Sequence, residues 1–434
     1  VADRNIRRAA VRVLGRQPNF AFLELLRDSN RRQSKKLLRW LDQAGIALLL
    51  QHQLQASHML SQCPTEFQKA LELRRQNNRG RMQQMLGEFE RTNEALTKEG
   101  VVFCAVKGFT LYPEFCAEIF LRHQTDIDFL IATESKEKTA KVLNERGYFL
   151  QESAANGEMT FGTPLLHVPS HADDIYGLPQ HRQVDLRTSL WSDKHGVSLR
   201  VPAGVIDRGN EAMRLGVRFR SLAMDDVFLL QVVHAFQHLL DSWVRLSWLY
   251  EIDFFLSHHA QDNELWESVK RRAGDDRKMR EAVGLILLLT SKLFGSNLPA
   301  ALNAWCVGPL NDGCKIWVNR FGMDWAIADF PGNSLPLLVQ RYFMDEPKLW
   351  NRYLLRRLLP LHTNSSSKPS AQASWQVRAK GHILRVIRIL PKTYWHLRNV
   401  IGPFIYYGGM TNSPRSSREL SVSHGNGGAY TSEI

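Results

Sequence analysis

Through most of the first 99 positions, apolar residues recur at spacings of three and four. FAFLELL (20–26), KKLLRWLDQAGIALLLQHQL (35–54) and RMQQMLGEFERTNEALTKEG (81–100) each predict an amphipathic helix, with Gly100 as the C-terminal stop. The pattern then changes. VVFCAV (101–106) is a short Val-rich run that predicts a buried strand, and TDIDFLIA (125–132) predicts a second. Between them TLYPEFCAEIF (110–120) reads as a short helix, interrupted early by Pro113. SKEKTAKVLNERGY (135–148) predicts an amphipathic helix ending at Gly147. Short strands and loops follow, of which QVDLRTSLW (183–191) is the clearest strand. From Met224 to Ala260 the spacing returns to one or two helices, with Asp225 and Asp226 suited to a first turn. Helical patterns continue to about residue 360.

These elements predict an α/β (α+β) fold, a small mixed sheet flanked by helical regions on both sides. The expected divisions are an N-terminal helical region (1–79), a mixed core (80–210), a helical domain (211–361), a Ser-rich linker (362–374), a basic amphipathic segment (375–408) and a disordered tail (409–434). No internal repeat is visible. A length of 434 residues allows two or three domains. The longest apolar run, AVGLILLL from Ala282, is far short of the ~20 residues of a membrane span. The first fifteen residues carry no signal-peptide apolar block. Five cysteines without a CxxC spacing read as reduced core residues and exclude a cysteine zinc site. The expected location is therefore cytoplasmic, or peripheral at a membrane surface.

The net charge is +13, and all of it is accounted for near the C-terminus. From Pro347 to Arg418 there are 13 Lys and Arg and no Asp or Glu, which leaves 43 basic and 43 acidic residues elsewhere. At 100° per residue Arg378, Arg385, Arg388 and Lys392 form one stripe, opposite Ile383, Val386, Ile387 and Leu390. Residues 375–407 thus read as a helix docked by its apolar side, as a contact for an anionic membrane surface, or as a contact for nucleic acid. Pro391 limits its length.

The chemistry sits in TDIDFLIA. On a strand Asp126 and Asp128 share one face, with Ile127 and Phe129 on the other. Two carboxylates ~5 Å apart repel by about 3 kcal/mol at an effective dielectric of ~20, unless a cation or water intervenes. Mg²⁺ suits such a pair, with substrate phosphates completing its shell. Asp185 in VDLR is a third acidic residue with apolar neighbours on a strand. Three carboxylates converging from two strands can hold two Mg²⁺ ions, an arrangement that serves phosphoryl transfer.

The arrangement resembles the polymerase-β-like nucleotidyltransferase superfamily, in which a glycine turn follows the first strand, a D-x-D lies on the second and a lone Asp on a later one. It is closer still to a bacterial nucleotidyltransferase family whose turn is Lys-Gly in place of Gly-Ser. The matching residues are Lys107-Gly108-Phe109-Thr110-Leu111, Arg122 with Asp126-Ile127-Asp128, Val184-Asp185-Leu186-Arg187, and a helix VVHAFQHLLDSW with His234, His238 and Trp243. Arg187 departs from the His usual there. The likeness covers about 100–260. It implies transfer of a nucleoside monophosphate from a nucleoside triphosphate to a hydroxyl of a sugar, small molecule, RNA or protein. Asp126 and Asp128 would bind Mg²⁺ and the triphosphate, and Asp185 a second Mg²⁺ while helping to deprotonate the acceptor. Gly108 would allow close phosphate approach, with Lys107 and Arg122 offsetting charge.

His234 and His238 are four apart and share a helix face. A zinc-protease pair would need Glu directly after the first His, and Ala235 stands there. Lining the nucleotide cleft and structural hydrogen bonding remain. Trp243, Trp248 and Trp266 read as core, with base stacking as the alternative. Two other function classes stay open: an inactive descendant serving as a nucleotide- or partner-binding assembly factor, and a polyanion binder acting through the basic segment.

Overall fold

The computed structural model describes residues 2–358 apart from 17, 19, 155–156, 165–174, 179–181, 192–195, 243–244 and 330–334. The expectations for the linker, the basic segment 375–408, the tail and Trp243 lie outside the described residues. Helices α1 (Ala2–Val13), α2 (Ala21–Arg27), α3 (Arg31–Gln43), α4 (Ala47–Ala56) and α5 (Thr65–Lys98) come first. The run predicted over 35–54 divides into α3 and α4 at Gly45, whose φ is +72°. Strands β1 (Phe103–Val106) and β2 (Asp126–Ile131), helix α6 (Lys136–Glu145), and strands β3 (Phe149–Ser153), β4 (Met159–Gly162), β5 (Gln183–Arg187), β6 (Asn210–Arg214) and β7 (Val217–Ser221) follow. Then come α7 (Met224–Leu240), α8 (Leu246–His258), α9 (Asn263–Ala273), α10 (Arg277–Phe294), α11 (Ala300–Leu302), α12 (Asp312–Ala326), α13 (Pro336–Gln340) and α14 (Pro347–Leu358).

The strands form one seven-stranded mixed sheet in the order β3-β4-β5-β2-β1-β7-β6. β2 runs parallel to β5 and antiparallel to β1. The sheet continues past residue 210 through β6 and β7. One expectation is corrected: TLYPEFCAEIF forms no α-helix. It holds the end of a 3₁₀ turn over Gly108–Leu111 and the start of another over Ile119–Leu121. Pro113 has no N–H to give a helical ladder, and its ring blocks the preceding turn.

Strand alternation decides what each face of the sheet carries. Ile127, Phe129 and Ile131 pack beneath α5, in a core with Met82, Met85, Phe89 and Phe103. The Phe89 and Phe129 rings stack with centroids 6.2 Å apart, and Phe103 meets Phe129 edge-on at 5.4 Å. Leu130 points the other way and joins a larger core with α7, α8 and α10. Asp126 and Asp128, in phase with Leu130, therefore belong to the face toward the helical domain. AVGLILLL is the buried heart of α10, and Asp225 and Asp226 do open α7.

Helix α5 also carries buried polar residues, and these hold the loop that feeds β2. Asn78 Nδ2 donates to the carbonyls of Phe120 and Arg122 at 2.7 and 2.8 Å. Arg81 Nε donates to the Gln124 carbonyl and its Nη1 to that of Gly177, both at 2.9 Å. The two bonds from the Arg81 guanidinium are worth about 1.5–3 kcal/mol each and the two from the neutral Asn78 amide about 0.5–1.5 kcal/mol each, and together they fix this loop.

Candidate active site

The strand register brings the three aspartates together. Asp128 lies opposite Asp185 on the parallel β2–β5 pair and opposite Val106 on β1. One ligand oxygen from each of Asp126, Asp128 and Asp185 lies within 4.8 Å of the others, and among the described residues no other trio of His, Cys, Asp or Glu gathers so closely. Asp185 Oδ1 accepts from Thr160 Oγ1 and from Gln183 Nε2, each at 3.0 Å. Thr160 is its register partner on β4. Burial, then the neighbouring Asp128, push the Asp126 carboxyl up to about 6. The same two causes raise Asp185, against the pull of its two hydrogen bonds.

Lys107 follows β1 at a positive φ of +55°, and Gly108 comes next at +47°. Its ammonium enters the acidic cluster and donates to Asp128 Oδ1 at 2.7 Å. A Cβ on Gly108 would lie 2.5 Å from Gln124 Nε2, which itself donates to the Asp126 carbonyl. The backbone angle therefore favours glycine here, and a Cβ would in addition displace the Gln124 amide. The Gly108 carbonyl accepts from Arg122 Nη1 at 3.0 Å.

Arg122 does not join the aspartates. Its Nε and Nη2 donate to the Glu251 carboxylate on α8 at 2.6 and 3.2 Å, with side-chain exposures of 10% and 6%. It locks the Lys107-Gly108 turn to the helical domain. Arg187, at the exit of β5, has Nε 4.0 Å from Asp128 Oδ1 and Nη1 3.0 Å from Glu158. Arg245, just before α8, reaches His123 Nδ1 at 3.2 Å, while His123 Nε2 donates to the Ile175 carbonyl at 2.7 Å. Burial, then Arg245, drive the His123 ring down to about 3, so it is neutral and can accept from that guanidinium.

His234 and His238 sit together on α7 with ring centroids 4.5 Å apart. Trp248 lies 4.5 and 4.7 Å from the two of them. Burial, then the Lys107 charge, push His234 well below the ordinary imidazole range. Its Nδ1 has no hydrogen-bond partner among the described residues. No third ligand completes a zinc set there among the described residues. Trp266 is fully buried, edge-on to Phe228, and is core.

Sequence reasoning missed Thr160, Glu251, Arg245 and Arg81, because each acts through a contact distant in sequence, and it missed Gln183 as well. The two-residue step from Gln183 to Asp185 on one strand was the only local signal.

Among the described residues no helix is long and apolar enough to cross a membrane. All five cysteines are free and buried. No curated protein matches the sequence. A solved structure of the antibiotic-resistance factor ANT(2'')-Ia is similar over 45% of this chain and 84% of its own length, at 13% identity and a TM-score of 0.26, a likeness too loose to decide fold or chemistry. A family described as "uncharacterised nucleotidyltransferase" matches residues 30–295, from α3 through α10. That span is more than half of the 434 residues and contains the whole sheet and every residue of the acidic cluster, so the chain belongs to this nucleotidyltransferase family.

Proposed function

We propose that this chain moves a nucleoside monophosphate from a nucleoside triphosphate to an acceptor hydroxyl, with pyrophosphate leaving. The observation that carries this reading is the meeting of three carboxylates within 4.8 Å on paired strands, beside a lysine-glycine turn. An all-oxygen donor set suits a hard divalent cation. The raised Asp126 and Asp185 carboxyls fit the same reading, since burial first, and then the neighbouring Asp128 charge, disfavour their ionised forms until a cation is present. Asp126, Asp128 and Asp185 would hold Mg²⁺, as one ion or two. Bound there, Mg²⁺ supplies charge neutralisation for the phosphoryl oxygens.

The remaining work falls to the chain's own groups. Asp185 keeps one oxygen on Thr160 and Gln183 and offers the other to the acceptor proton. Lys107 supplies positive charge to the polyphosphate, and Gly108 lets it approach the backbone. Arg122 serves the nucleotide indirectly, by fixing the Gly108 carbonyl through Glu251. His234 and His238, with Trp248, border the nucleotide side. His234, held neutral by its surroundings, offers a hydrogen bond and no charge. The acceptor is a hydroxyl of a sugar, small molecule, RNA or protein.

The test is incubation with each α-labelled nucleoside triphosphate, Mg²⁺ and a cell extract. The expected result is a labelled acceptor that disappears in Asp128→Asn. Labelling that persists in that variant would overturn the site assignment. Tight nucleotide binding with nothing labelled would instead make the chain a nucleotide-binding assembly factor.

A further inference from the structure

Lys107 places a positive charge inside the carboxylate cluster itself. Its side chain is 11% exposed and Asp128 is 5% exposed, so the 2.7 Å contact is shielded from water. The turn fixes where the side chain starts. Thr110 donates to the Lys107 carbonyl through both N–H and Oγ1, at 2.9 and 2.7 Å, and Arg122 holds the carbonyl of the next residue. Arg187 approaches the same Asp128 oxygen at 4.0 Å, but its far end is tied to Glu158 at 3.0 Å. Arg187 is thus held by Glu158 and only approaches Asp128. Lys107 is a compact charge on a flexible four-carbon stem, able to leave while its backbone stays in place.

A divalent cation at this cluster and the Lys107 ammonium draw on the same carboxylate charge. Each lowers the other's affinity, and the coupling is reciprocal. A triphosphate changes the balance, because it offers the ammonium another anion close to the same turn.

We propose that Lys107 is an exchangeable counter-ion that couples divalent-cation binding to nucleoside-triphosphate binding: it neutralises Asp128 while no cation is present, and moves to the polyphosphate when cation and nucleotide arrive together. This rests on the metal-and-nucleotide reading above. Its consequence is that the cation alone binds weakly, so the carboxylates are loaded only when substrate is present.

The experiment is Mn²⁺ binding at pH 8, read by the loss of free-ion electron paramagnetic resonance signal, with and without a triphosphate analogue carrying a methylene α,β-bridge. Wild type is compared with Lys107→Met and Lys107→Gln. Both variants should bind Mn²⁺ alone on the order of tenfold tighter than wild type, since one competing charge is gone. Both should also lose most of the tightening that the analogue produces in wild type. A second measurement needs no variant. The rate at which an amine-directed acylating reagent labels Lys107, followed by mass spectrometry, should rise with Mn²⁺ alone and fall when the analogue is added. Equal or weaker Mn²⁺ binding in both variants, with the analogue still bound, overturns the exchange but leaves the nucleotide reading standing. Lys107 labelling that ignores Mn²⁺ also overturns it. Absence of Mn²⁺ binding in wild type and variants alike removes the metal reading and the exchange with it.

Discussion

Replacing Glu251 by Gln should cost far more stability than a surface charge change, and should also reach the active site. The Arg122 guanidinium makes two bonds to Glu251, at 2.6 and 3.2 Å, and one to the Gly108 carbonyl at 3.0 Å. Both side chains are at least nine-tenths buried. At ~3 Å and an effective dielectric of ~20 the charge–charge attraction is about 5 kcal/mol. Gln keeps one acceptor and avoids the burial cost of Glu, so the net loss falls near the lower end of the ~3–5 kcal/mol typical of a broken buried pair. At ~2–4 °C per kcal/mol, this lowers the melting temperature by roughly 6–12 °C. Thermal and urea unfolding at pH 7.5 measure it. The double change Arg122→Met with Glu251→Leu removes both charges and should recover stability to within ~1 kcal/mol of wild type. It should not recover transfer activity, because the Gly108 carbonyl then lacks its donor and the Lys107-Gly108 turn loosens. A loss below ~1 kcal/mol in Glu251→Gln would show the pair to be solvated, and full activity in the double variant would refute the positioning role of Arg122.

Asp128→Asn should reduce nucleotidyl transfer by at least ~10²–10³, the loss typical of one preorganised electrostatic group, with an unchanged circular dichroism spectrum. The Asp126 carboxyl is raised in the fold to about 6 from an ordinary 3.8, so its contribution to stability is present below about 3.8 and is lost as pH rises through about 6. Without divalent ions, Asp126→Asn should therefore melt higher than wild type at pH 8, and the gap should close as the pH is lowered toward 5. For the same reason Mn²⁺ affinity should weaken below pH 6, by up to ~tenfold per pH unit where one proton must leave, as titration calorimetry would record. His234 is shifted the opposite way, well below 6.5, so its contribution is present at neutral pH and is lost as the pH falls below 6.5. His234→Gln should remove up to about 1.4 kcal/mol of acid lability per pH unit in that window, measured as urea midpoints at pH 7.5 and 5.5.

Local pattern was enough to read the helices, the central strands and the acidic chemistry. Period-two alternation in TDIDFLIA places Asp126 and Asp128 on one face whatever surrounds them, and a strand geometry is all that this requires. Gly100 and Gly147 mark helix ends because both adopt positive φ, a preference that belongs to the residue itself. The stretch around Pro113 has an apolar spacing that suits a helix, but the proline breaks the ladder and the flanking backbone is held by the turn at Gly108 and the donors of α5. Register lay beyond local pattern. Only the β2–β5 pairing sets Asp185 opposite Asp128, some 57 residues away in the chain, because strand partners are chosen by the global packing of both sheet faces. The roles of Lys107 and Arg122 divided for the same reason. Each is a cation flanking the run from β1 to β2 in the sequence, yet a carboxylate from β2 claims one and a carboxylate from α8 claims the other. A buried charge takes whichever opposite charge the tertiary fold brings within reach, because leaving it unpaired costs several kcal/mol, and no pattern of neighbours in the chain carries that information.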